Sequence, residues 1–276
     1  MECLANRSVM EELLMKQKQY IVDAFTDKVF EGNPAAVCIM EKWLPDDVLQ
    51  KIAIENNLSE TAFAVKEDDG YKLRWFTPGK EVDLCGHATL GTAFVLANFY
   101  DTGAAHFVFH TLSGQLDVKK NGDLFEMDFP ARMPTRIDVT KEMLDALGKE
   151  PKEAYLSRDV MLVFEDEEFI KNYNPDWGKL CSIQEGMGVL VTAPSKEYDF
   201  VSRCFFPKIK VNEDPVCGSA HCNFIPYWAQ KLGKKTMVAR QVSKRGGTLF
   251  CEEHGDRVLI KGKVALYSEA NIYIPI

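Results

Sequence analysis

Two stretches of this 276-residue chain each predict a helix whose side chains are apolar on nearly every face. The first stretch is HATLGTAFVLANF, and the second follows CGSAHCN and carries Phe224, Ile225, Tyr227, Trp228 and Leu232. A helix with one apolar stripe is buried by packing on one side, whereas a helix that is apolar all round must be wrapped. The chain therefore predicts a sheet curled around a central helix, and it predicts this arrangement twice.

The segments around these helices predict mostly antiparallel strands. YKLRWFT alternates Tyr71, Leu73 and Trp75 with charged residues, which is typical of a half-buried strand. The Asn121-Gly122 pair inside GQLDVKKNGDLFEMDF is a hairpin signal. Similar strand and hairpin signals recur in the second half, in GMGVLVTAP, DFVSRCFFP and GGTLFCEEHGDRVLIKG. We predict an α+β fold of two similar lobes, each a mostly antiparallel sheet rolled around a central helix.

The composition and periodicity of the sequence change around residues 131–141, where ARMPTRIDVT contains proline and has little hydrophobic periodicity. A short helix is predicted next, with Thr140 as its N-cap and Gly148 just past its end. We place the lobe boundary here, which gives a first lobe at 18–135 and a second lobe at 136–276. Residues 1–17 are predicted to be an N-terminal extension, either disordered or derived from an upstream start. Whether residues 1–14 belong to the native start is left open.

Charge and composition exclude several kinds of partner. The 33 basic and 41 acidic residues give a net charge of −8, which argues against nucleic acid or an anionic membrane as the main partner. No apolar run is long enough to span a membrane, and the first residues lack the apolar segment of a secretory leader. The eight cysteines form no CxxC pair. They predict reduced thiols in a cytoplasmic protein without a metal site.

Both predicted helices start at a Cys-Gly pair, Cys85-Gly86 and Cys217-Gly218. The first backbone N–H groups of a helix are unpaired and carry partial positive charge, and glycine lets a ligand approach them closely. Two such helix ends facing each other across a lobe interface would bind a carboxylate or an enolate. The other interpretation is that both glycines only make tight turns, and the repetition of the motif favours the binding site.

The thiols of the two Cys-Gly pairs allow two interpretations. A cysteine at a helix N-terminus has a lowered pKa, so Cys85 and Cys217 are better candidates for an acid and a base than the other six cysteines. Free cysteine is also among the most buried residue types, so both side chains are equally well explained as small buried groups left by a duplication.

Four other residues are candidates for acid–base or binding roles. His87 follows Gly86, where an imidazole can exchange a proton near neutral pH. Asp214 and Ser219 flank the second Cys-Gly pair. The default for Asp214 is a role in a turn or helix cap, whereas Ser219 is a candidate both for capping the helix and for binding substrate. Glu60 lies in NLSETAF, next to an apolar strand, where burial would raise the pKa of its carboxyl group. Taken alone, Glu60 is better explained as a surface residue in a loop.

Six segments together resemble a known family. They are VDAFTDKVFEGNPAAVCIM, NLSETAF, LRWFTPGKEVDLCGHATLG, DFVSRCFFP, EDPVCGSAHC and SKRGGTLF, and they occur in the family's order over nearly the whole chain after residue 18. The chain resembles the phenazine-biosynthesis-like (PhzF) isomerases, which share the diaminopimelate epimerase-like fold. The resemblance implies two lobes with an active site in the cleft between them, a homodimer, and no cofactor or metal.

The resemblance also implies roles for particular residues. In the phenazine enzyme a glutamate moves a hydrogen along a conjugated cyclic amino acid, and by motif that glutamate falls on Glu60. The family's histidine falls on His87, and its aspartate and serine fall on Asp214 and Ser219. These residues imply an isomerase of a small carboxylate or amino-acid-like molecule, with Gly86 and Gly218 among its substrate-binding residues.

The second cysteine departs from the phenazine-type pattern, which often has threonine or another small residue at the position of Cys217. Epimerases and racemases of the superfamily use two cysteines, each directly before a glycine. A two-thiol racemase or epimerase that uses Cys85 and Cys217 is therefore the alternative function. A non-catalytic binding or scaffold protein of the same fold is a further alternative, and the retention of all four polar residues weighs against it.

Overall fold

The computed structural model describes residues 14–275. The strands in that range are β1 Leu14–Ala24, β2 Asn33–Met40, β3 Glu60–Glu67, β4 Gly70–Phe76, β5 Glu81–Val82, β6 His106–Thr111, β7 Gly114–Asn121, β8 Leu124–Pro130, β9 Thr135–Ile137, β10 Glu153–Leu156, β11 Val160–Val163, β12 Val189–Pro194, β13 Phe200–Phe206, β14 Val211–Asp214, β15 Thr236–Gln241, β16 Gly247–His254, β17 Arg257–Gly262 and β18 Val264–Pro275. The helices are α1 Asp46–Asn56, α2 Gly86–Val95, α3 Lys141–Leu147, α4 Glu167–Asn172, α5 Trp177–Ser182 and α6 Gly218–Leu232. A π-helical turn, Leu96–Tyr100, extends α2.

The two halves of the chain repeat one pairing scheme. In the first half β2 pairs antiparallel with β1 and parallel with β3, β4 pairs antiparallel with β3 and parallel with β6, and β6, β7 and β8 form an antiparallel meander. The strands from β10 to β17 repeat this series. Helices α2 and α6 follow β5 and β14, which are equivalent in the scheme. The predicted α+β fold with two similar lobes is confirmed.

Each half gives its last strand to the other half. Strand β9 follows the first half in sequence but pairs with β10, and β18 follows the second half but pairs with β1 along its whole length. Strands β8 and β17 pair as well, so the two lobes are joined by continuous hydrogen bonding. The predicted lobes, 18–135 and 136–276, are each one continuous segment of the chain. That division does not include the exchange of β9 and β18.

The N-terminal extension predicted at 1–17 is corrected at its end. Residues 14–17 are the first four of β1, and they pair with β18 from Leu14 opposite Pro275 to Gln17 opposite Ile272. This part of β1 has two apolar residues followed by two polar ones and none of the four is buried, so its local pattern lacks the apolar alternation of a strand. Its hydrogen bonds come from the far end of the chain, which local sequence does not reveal. Residues 1–13 lie outside the described part.

Both central helices are buried as the sequence predicts. Eight of the ten residues of α2 are buried, among them Thr89 and Thr92, which satisfy their hydroxyl groups by donating to backbone carbonyl groups one turn earlier. Helix α6 buries His221 and Asn223 together with its aromatic residues. The helices contact each other, and one continuous core includes side chains from both lobes. The sheets therefore close around the two helices as the wrapped arrangement requires.

An arginine in the second half fixes the two lobes against each other. The guanidinium of Arg245 donates to Asp23 Oδ1 at 2.7 Å and to the carbonyl oxygens of Glu31 and Gly32, both at 2.8 Å. Asp23 is 3% exposed and also accepts the backbone N–H of Phe30. A buried carboxylate that is paired in this way strongly resists separation of its partners. The contact holds the segment that connects β1 to β2 against the second half of the chain.

The helix caps and the hairpin predicted outside the site are confirmed. Thr140 caps α3 by accepting the N–H of Met143, and Gly148 ends that helix with a left-handed backbone at φ 66°. The Asn121-Gly122 hairpin joins β7 to β8. The seven cysteines of the described part are all free thiols. In residues 14–275, no helix is long and apolar enough to cross a membrane.

The contact between α2 and β1 allows a test of the wrapped packing. A Cβ at Gly91 would lie 2.7 Å from Cγ2 of the buried Val22. We expect Gly91→Ala to lower the free energy of unfolding, because overpacking costs about 1–3 kcal/mol and exceeds the helix-propensity gain of roughly 1 kcal/mol. Urea unfolding followed by circular dichroism measures the change.

Gly103→Ala is the matched control, since a Cβ there would meet no atom within 4 Å. The double variant Gly91→Ala/Val22→Ala should lose less stability than the sum of its single variants, because it removes the clash. A Gly91→Ala protein as stable as the wild type would contradict close packing of α2 on β1.

Candidate active site

Glu60 is the first residue of β3, and its position follows from strand pairing. Glu60 pairs with Ala35 at the start of the parallel β2–β3 ladder, and α2 packs against both strands. The side chain of Glu60 is 19% exposed. Glu60 therefore lies in a strand and is mostly buried, and it is not in a surface loop.

Glu60 and His87 meet at the N-terminus of α2. Glu60 Oε2 lies 3.2 Å from His87 Nε2, and the His87 side chain is only 8% exposed. The N–H direction at this distance does not meet hydrogen-bond geometry, so both buried atoms are without a hydrogen-bond partner in the described part of the chain. The two groups attract each other and also keep unused hydrogen-bonding capacity.

Cys85 contacts the other nitrogen of the same imidazole. Cys85 Sγ lies 3.5 Å from His87 Nδ1. Burial, and then the nearby carboxylate of Glu60, raise the pKa of Cys85 to about 11, so its thiol is protonated at neutral pH. Burial by itself lowers the pKa of His87, but the contacts with Cys85 and Glu60 raise it well above the ordinary value. Cys85 is thus a partner of His87 rather than a free thiolate.

Helices α2 and α6 begin without side-chain caps. Their N-cap residues are Cys85 and Cys217, and neither side chain caps the helix. The three short helices α3, α4 and α5 are all capped by a threonine or an aspartate. A Cβ at Gly86 or at Gly218 would meet only side-chain atoms, at 3.8 Å or more. The first N–H groups of both long helices are therefore open to an anion.

Asp214 connects the second lobe to the Glu60–His87 pair. Asp214 Oδ1 accepts Asn33 Nδ2 at 2.9 Å and the N–H of Val216 at 3.1 Å. Burial raises the pKa of Asp214, the positive charge of His87 lowers it, and the carboxylate of Glu60 raises it. Asn33 is two residues before Ala35, the strand partner of Glu60, so its bond to Asp214 brings Asp214 near Glu60. Sequence analysis missed Asn33, although its EGNPAAV segment was among those that carried the resemblance.

Ser219 lies beside the second thiol and contacts an arginine that sequence analysis did not single out. Ser219 Oγ is 3.4 Å from Cys217 Sγ and accepts Arg158 Nη2 at 3.1 Å. Arg158 also makes two hydrogen bonds to Asp159 Oδ2, at 2.9 and 2.7 Å. Because Arg158 follows a short strand and precedes an acidic residue, its sequence context predicts an ordinary surface ion pair.

The repeat brings equivalent thiols but unlike acid–base groups to the cleft. Gly188 has in the second half the position of Glu60 in the first, because Thr61 opposite Phe76 corresponds to Val189 opposite Phe205. His87 and Ser219 are both the second residue of a long helix. Val82, which pairs with Trp75 in the first half, corresponds to Asp214, which pairs with Cys204 in the second. The cleft is symmetric in its cysteines and glycines and asymmetric in its carboxylates and imidazole.

The other histidines lie away from this cluster. His106, His110 and His254 each place Nε2 within 3.0 Å of a surface carboxylate. His221 is fully buried, its Nδ1 contacts Cys217 O at 2.8 Å, and burial lowers its pKa to about 4. It packs against Phe200 and Phe224 and is neutral at physiological pH.

Two groups of side chains have the composition of a metal site. Glu60, Cys85 and His87 each place a ligand atom within 4.8 Å of the others, and so do Glu67, Asp69 and His110 on the surface. In the buried group, a metal would have to displace the proton of a thiol whose pKa is about 11. The absence of a metal and of a cofactor stays a prediction.

Comparison with known proteins decides the family. The family model described as phenazine biosynthesis-like protein matches residues 22–270. This chain belongs to the phenazine biosynthesis-like family. An uncharacterized isomerase of Pseudomonas aeruginosa is 50% identical over 253 residues, which are 92% of this chain and 97% of that protein.

Solved structures agree with this assignment. A PhzF-family protein from Enterococcus faecalis is 53% identical, with a TM-score of 0.93 over 94% of this chain and 100% of the other. A hydroxyproline epimerase from Agrobacterium vitis shares the fold at 10% identity, with a TM-score of 0.58 over 95% of this chain and 93% of that one. The predicted family, fold and isomerase class of this PhzF-family protein are confirmed.

The raised pKa of His87 predicts a pH-dependent contribution to stability. A basic group whose folded-state pKa is raised stabilises the fold fully below its unfolded-state pKa of about 6.5, and the stabilisation is lost as pH rises through the folded-state pKa. We expect the difference in free energy of unfolding between wild type and His87→Gln to be largest near pH 6 and to shrink toward pH 9. Denaturant titrations at several pH values measure it.

His221→Asn is the contrasting variant. Its pKa of about 4 is lowered, so its contribution should be present above about pH 6.5 and should fall as pH decreases toward 4. If the stability difference for His87→Gln did not depend on pH, the proposed pairing of His87 with Glu60 and Cys85 would be wrong.

Proposed function

We propose that this protein is a cofactor-independent isomerase of a small carboxylate or amino-acid-like substrate, with Glu60 as the acid/base that moves a proton between carbons. The observation that carries the proposal is the buried contact between Glu60 Oε2 and His87 Nε2, at 3.2 Å. It brings a carboxylate and an imidazole to the open N-terminus of α2. Proton transfer at carbon needs a base and a site that stabilises the resulting anion at the same place.

The proposed reaction conserves all atoms and electrons. Glu60 takes a proton from a substrate C–H bond, and the electron pair of that bond enters the conjugated system of the substrate. Glu60, whose acid proton exchanges with solvent while the intermediate is bound, then returns a proton to another carbon of that system. His87 stabilises the negative charge, and the N–H groups at Gly86 and Gly218 hold the substrate carboxylate. Asp214 and Ser219 orient the remaining polar groups of the substrate.

The asymmetry of the cleft supports Glu60 over the two thiols. A two-thiol racemase needs one cysteine on each face of the substrate, with one of them ionised. Cys85 has a pKa of about 11 and is in contact with His87. The acid–base groups Glu60 and His87 occur on one side only, which suits a reaction with one proton donor and acceptor. The two-thiol mechanism through Cys85 and Cys217 is the second candidate.

Glu60→Gln tests the proposal directly. It removes the titrating oxygen and keeps the shape of the side chain. We expect turnover, and exchange of substrate hydrogen for deuterium in D₂O, to fall by about 10²–10⁴-fold with the thermal midpoint nearly unchanged. A panel of small amino and cyclic carboxylic acids, followed by NMR, detects the label at carbon.

Glu67→Gln is the matched control because Glu67 ends the same strand and is exposed. It should leave exchange at the wild-type rate. Near-normal exchange in Glu60→Gln would exclude Glu60 as the acid/base.

Single serine variants separate the two mechanisms. If Glu60 moves the proton, Cys85→Ser and Cys217→Ser should each retain measurable exchange at the substrate carbon. If the protein is a two-thiol racemase or epimerase, each variant should abolish that exchange, because each thiol serves one face. Chiral chromatography of the product measures racemisation beside the isotope experiment.

The remaining expectations stay predictions. They are the homodimer, the cytoplasmic location and the absence of a cofactor. A non-catalytic binding or scaffold role is the least supported alternative, since the relatives named here include an isomerase and the cleft keeps Glu60, His87, Asp214 and Ser219 together.

A further inference from the structure

A second set of unpartnered polar atoms lies around the first turns of α6. Arg132 Nη1 and Asn223 Nδ2 are both buried, and within residues 14–275 neither has a hydrogen-bond partner. Asn223 is fully buried, and its Oδ1 is already used by the hydroxyl group of Ser157. Both unpartnered atoms are donors, and a buried donor without an acceptor is costly. The pair therefore favours a ligand that supplies acceptor oxygens.

A proline inside α6 holds Arg132 at this place. Pro226 has no N–H group, so the carbonyl oxygen of Cys222, one turn earlier, is left without its helical partner. The backbone N–H of Arg132 donates to that oxygen at 2.8 Å. Arg132 belongs to the segment between β8 and β9, which passes from one lobe to the other. A break in the helix ladder thus anchors an arginine beside the N-terminal half of α6.

Arg158 brings a second guanidinium to the same end of α6. It bonds to Ser219, the second residue of that helix, and its side chain is 35% exposed. Burial raises the pKa of Cys222 to about 11, while Arg132 and Arg158 act in the opposite direction. The Cys222 thiol is therefore protonated and does not neutralise either arginine. Asp159 pairs with Arg158 and also accepts the N–H of Gly188. In the described part of the chain, Arg132 forms no ion pair that would offset its positive charge.

We propose that the substrate carries a second anionic group, a carboxylate, and that Arg132, Arg158 and Asn223 bind it. The inference rests on the proposed function, in which the open ends of α2 and α6 bind the first carboxylate. Ser219 lies beside Cys217 and bonds to Arg158, so it joins the two binding regions. Planar guanidinium groups match a carboxylate or phosphate with two parallel hydrogen bonds. The substrate class becomes a dianionic small acid rather than a simple amino acid.

Arg132→Gln is the informative variant, because the unpartnered Nη1 atom gives the fold no hydrogen bond to lose. Arg158→Gln would leave the buried Asp159 without its partner and so risks unfolding. The probes are malonate, succinate, glutarate and adipate, each compared with the monocarboxylate of the same chain length. Inorganic phosphate is a separate probe. Isothermal titration calorimetry measures the dissociation constants of the whole protein.

We expect one dicarboxylate to bind at least about tenfold more tightly than its monocarboxylate, as a charged hydrogen-bonded contact implies. Arg132→Gln should remove most of this preference and leave monocarboxylate affinity unchanged, while Arg132→Lys should restore part of it. Arg257→Gln is the matched control, since Arg257 forms an exposed pair with Asp128, and it should keep the full preference. Phosphate binding that Arg132→Gln abolishes would support the anion site and identify phosphate as its ligand group.

The stability of the free protein gives a second readout. Removing a buried, unpaired donor relieves a desolvation cost, so Arg132→Gln should raise the thermal midpoint without ligand. A purely structural Arg132 would give a lower midpoint and unchanged selectivity. The proposal is overturned if the wild type shows no dicarboxylate or phosphate preference, or if Arg132→Gln keeps it.

The outcomes also separate this inference from the proposed function. If Glu60→Gln abolishes deuterium exchange while Arg132→Gln keeps the dicarboxylate preference, the isomerase proposal stands and the second anion site falls. If Glu60→Gln exchanges normally while Arg132→Gln loses the preference, the anion site stands and the role of Glu60 falls.

Discussion

Burial of two helices with almost no polar face is the constraint on which this structure depends. Each helix needs a sheet that closes around it, and the chain meets this need by repeating one series of strand pairings. The exchange of β9 and β18 between halves and the β8–β17 pairing then hold the lobes in one orientation. The polar N-terminal ends of the helices, which the sheets leave open, become the walls of the cleft.

The repeat explains why the cleft has both symmetric and asymmetric features. The Cys-Gly starts of α2 and α6 are equivalent because each helix enters its lobe at the same place in the pairing scheme. Other equivalent positions differ: Glu60 corresponds to Gly188, and His87 corresponds to Ser219. A cleft with similar anion-binding walls and a single acid–base pair suits an isomerase that moves one proton on a bound carboxylate.

Charge is distributed unequally along the same cleft. The first lobe brings Glu60 and His87, which largely balance each other, and Asp214 is tied to Asn33 from the opposite lobe. Beside the N-terminal half of α6, Arg158 pairs with Asp159, and within residues 14–275 Arg132 forms no ion pair. Pro226 is responsible for part of this arrangement, because it frees the Cys222 carbonyl that anchors Arg132. A helix-breaking residue therefore helps to define the anion-binding end of the cleft.

The sequence by itself determined the wrapped helices, the two similar lobes, the helix starts at Cys85 and Cys217, and the family, because these depend on local pattern and on motifs in a fixed order. It also singled out Glu60, His87, Asp214 and Ser219. Only the tertiary structure decided that Glu60 contacts His87 and that Asn33 bonds to Asp214. It alone showed that residues 14–17 pair with the C-terminal strand and that Arg132 and Arg158 each bond to a residue of α6. Residues up to about 260 positions apart make these contacts, and local periodicity carries no information about partners at that separation.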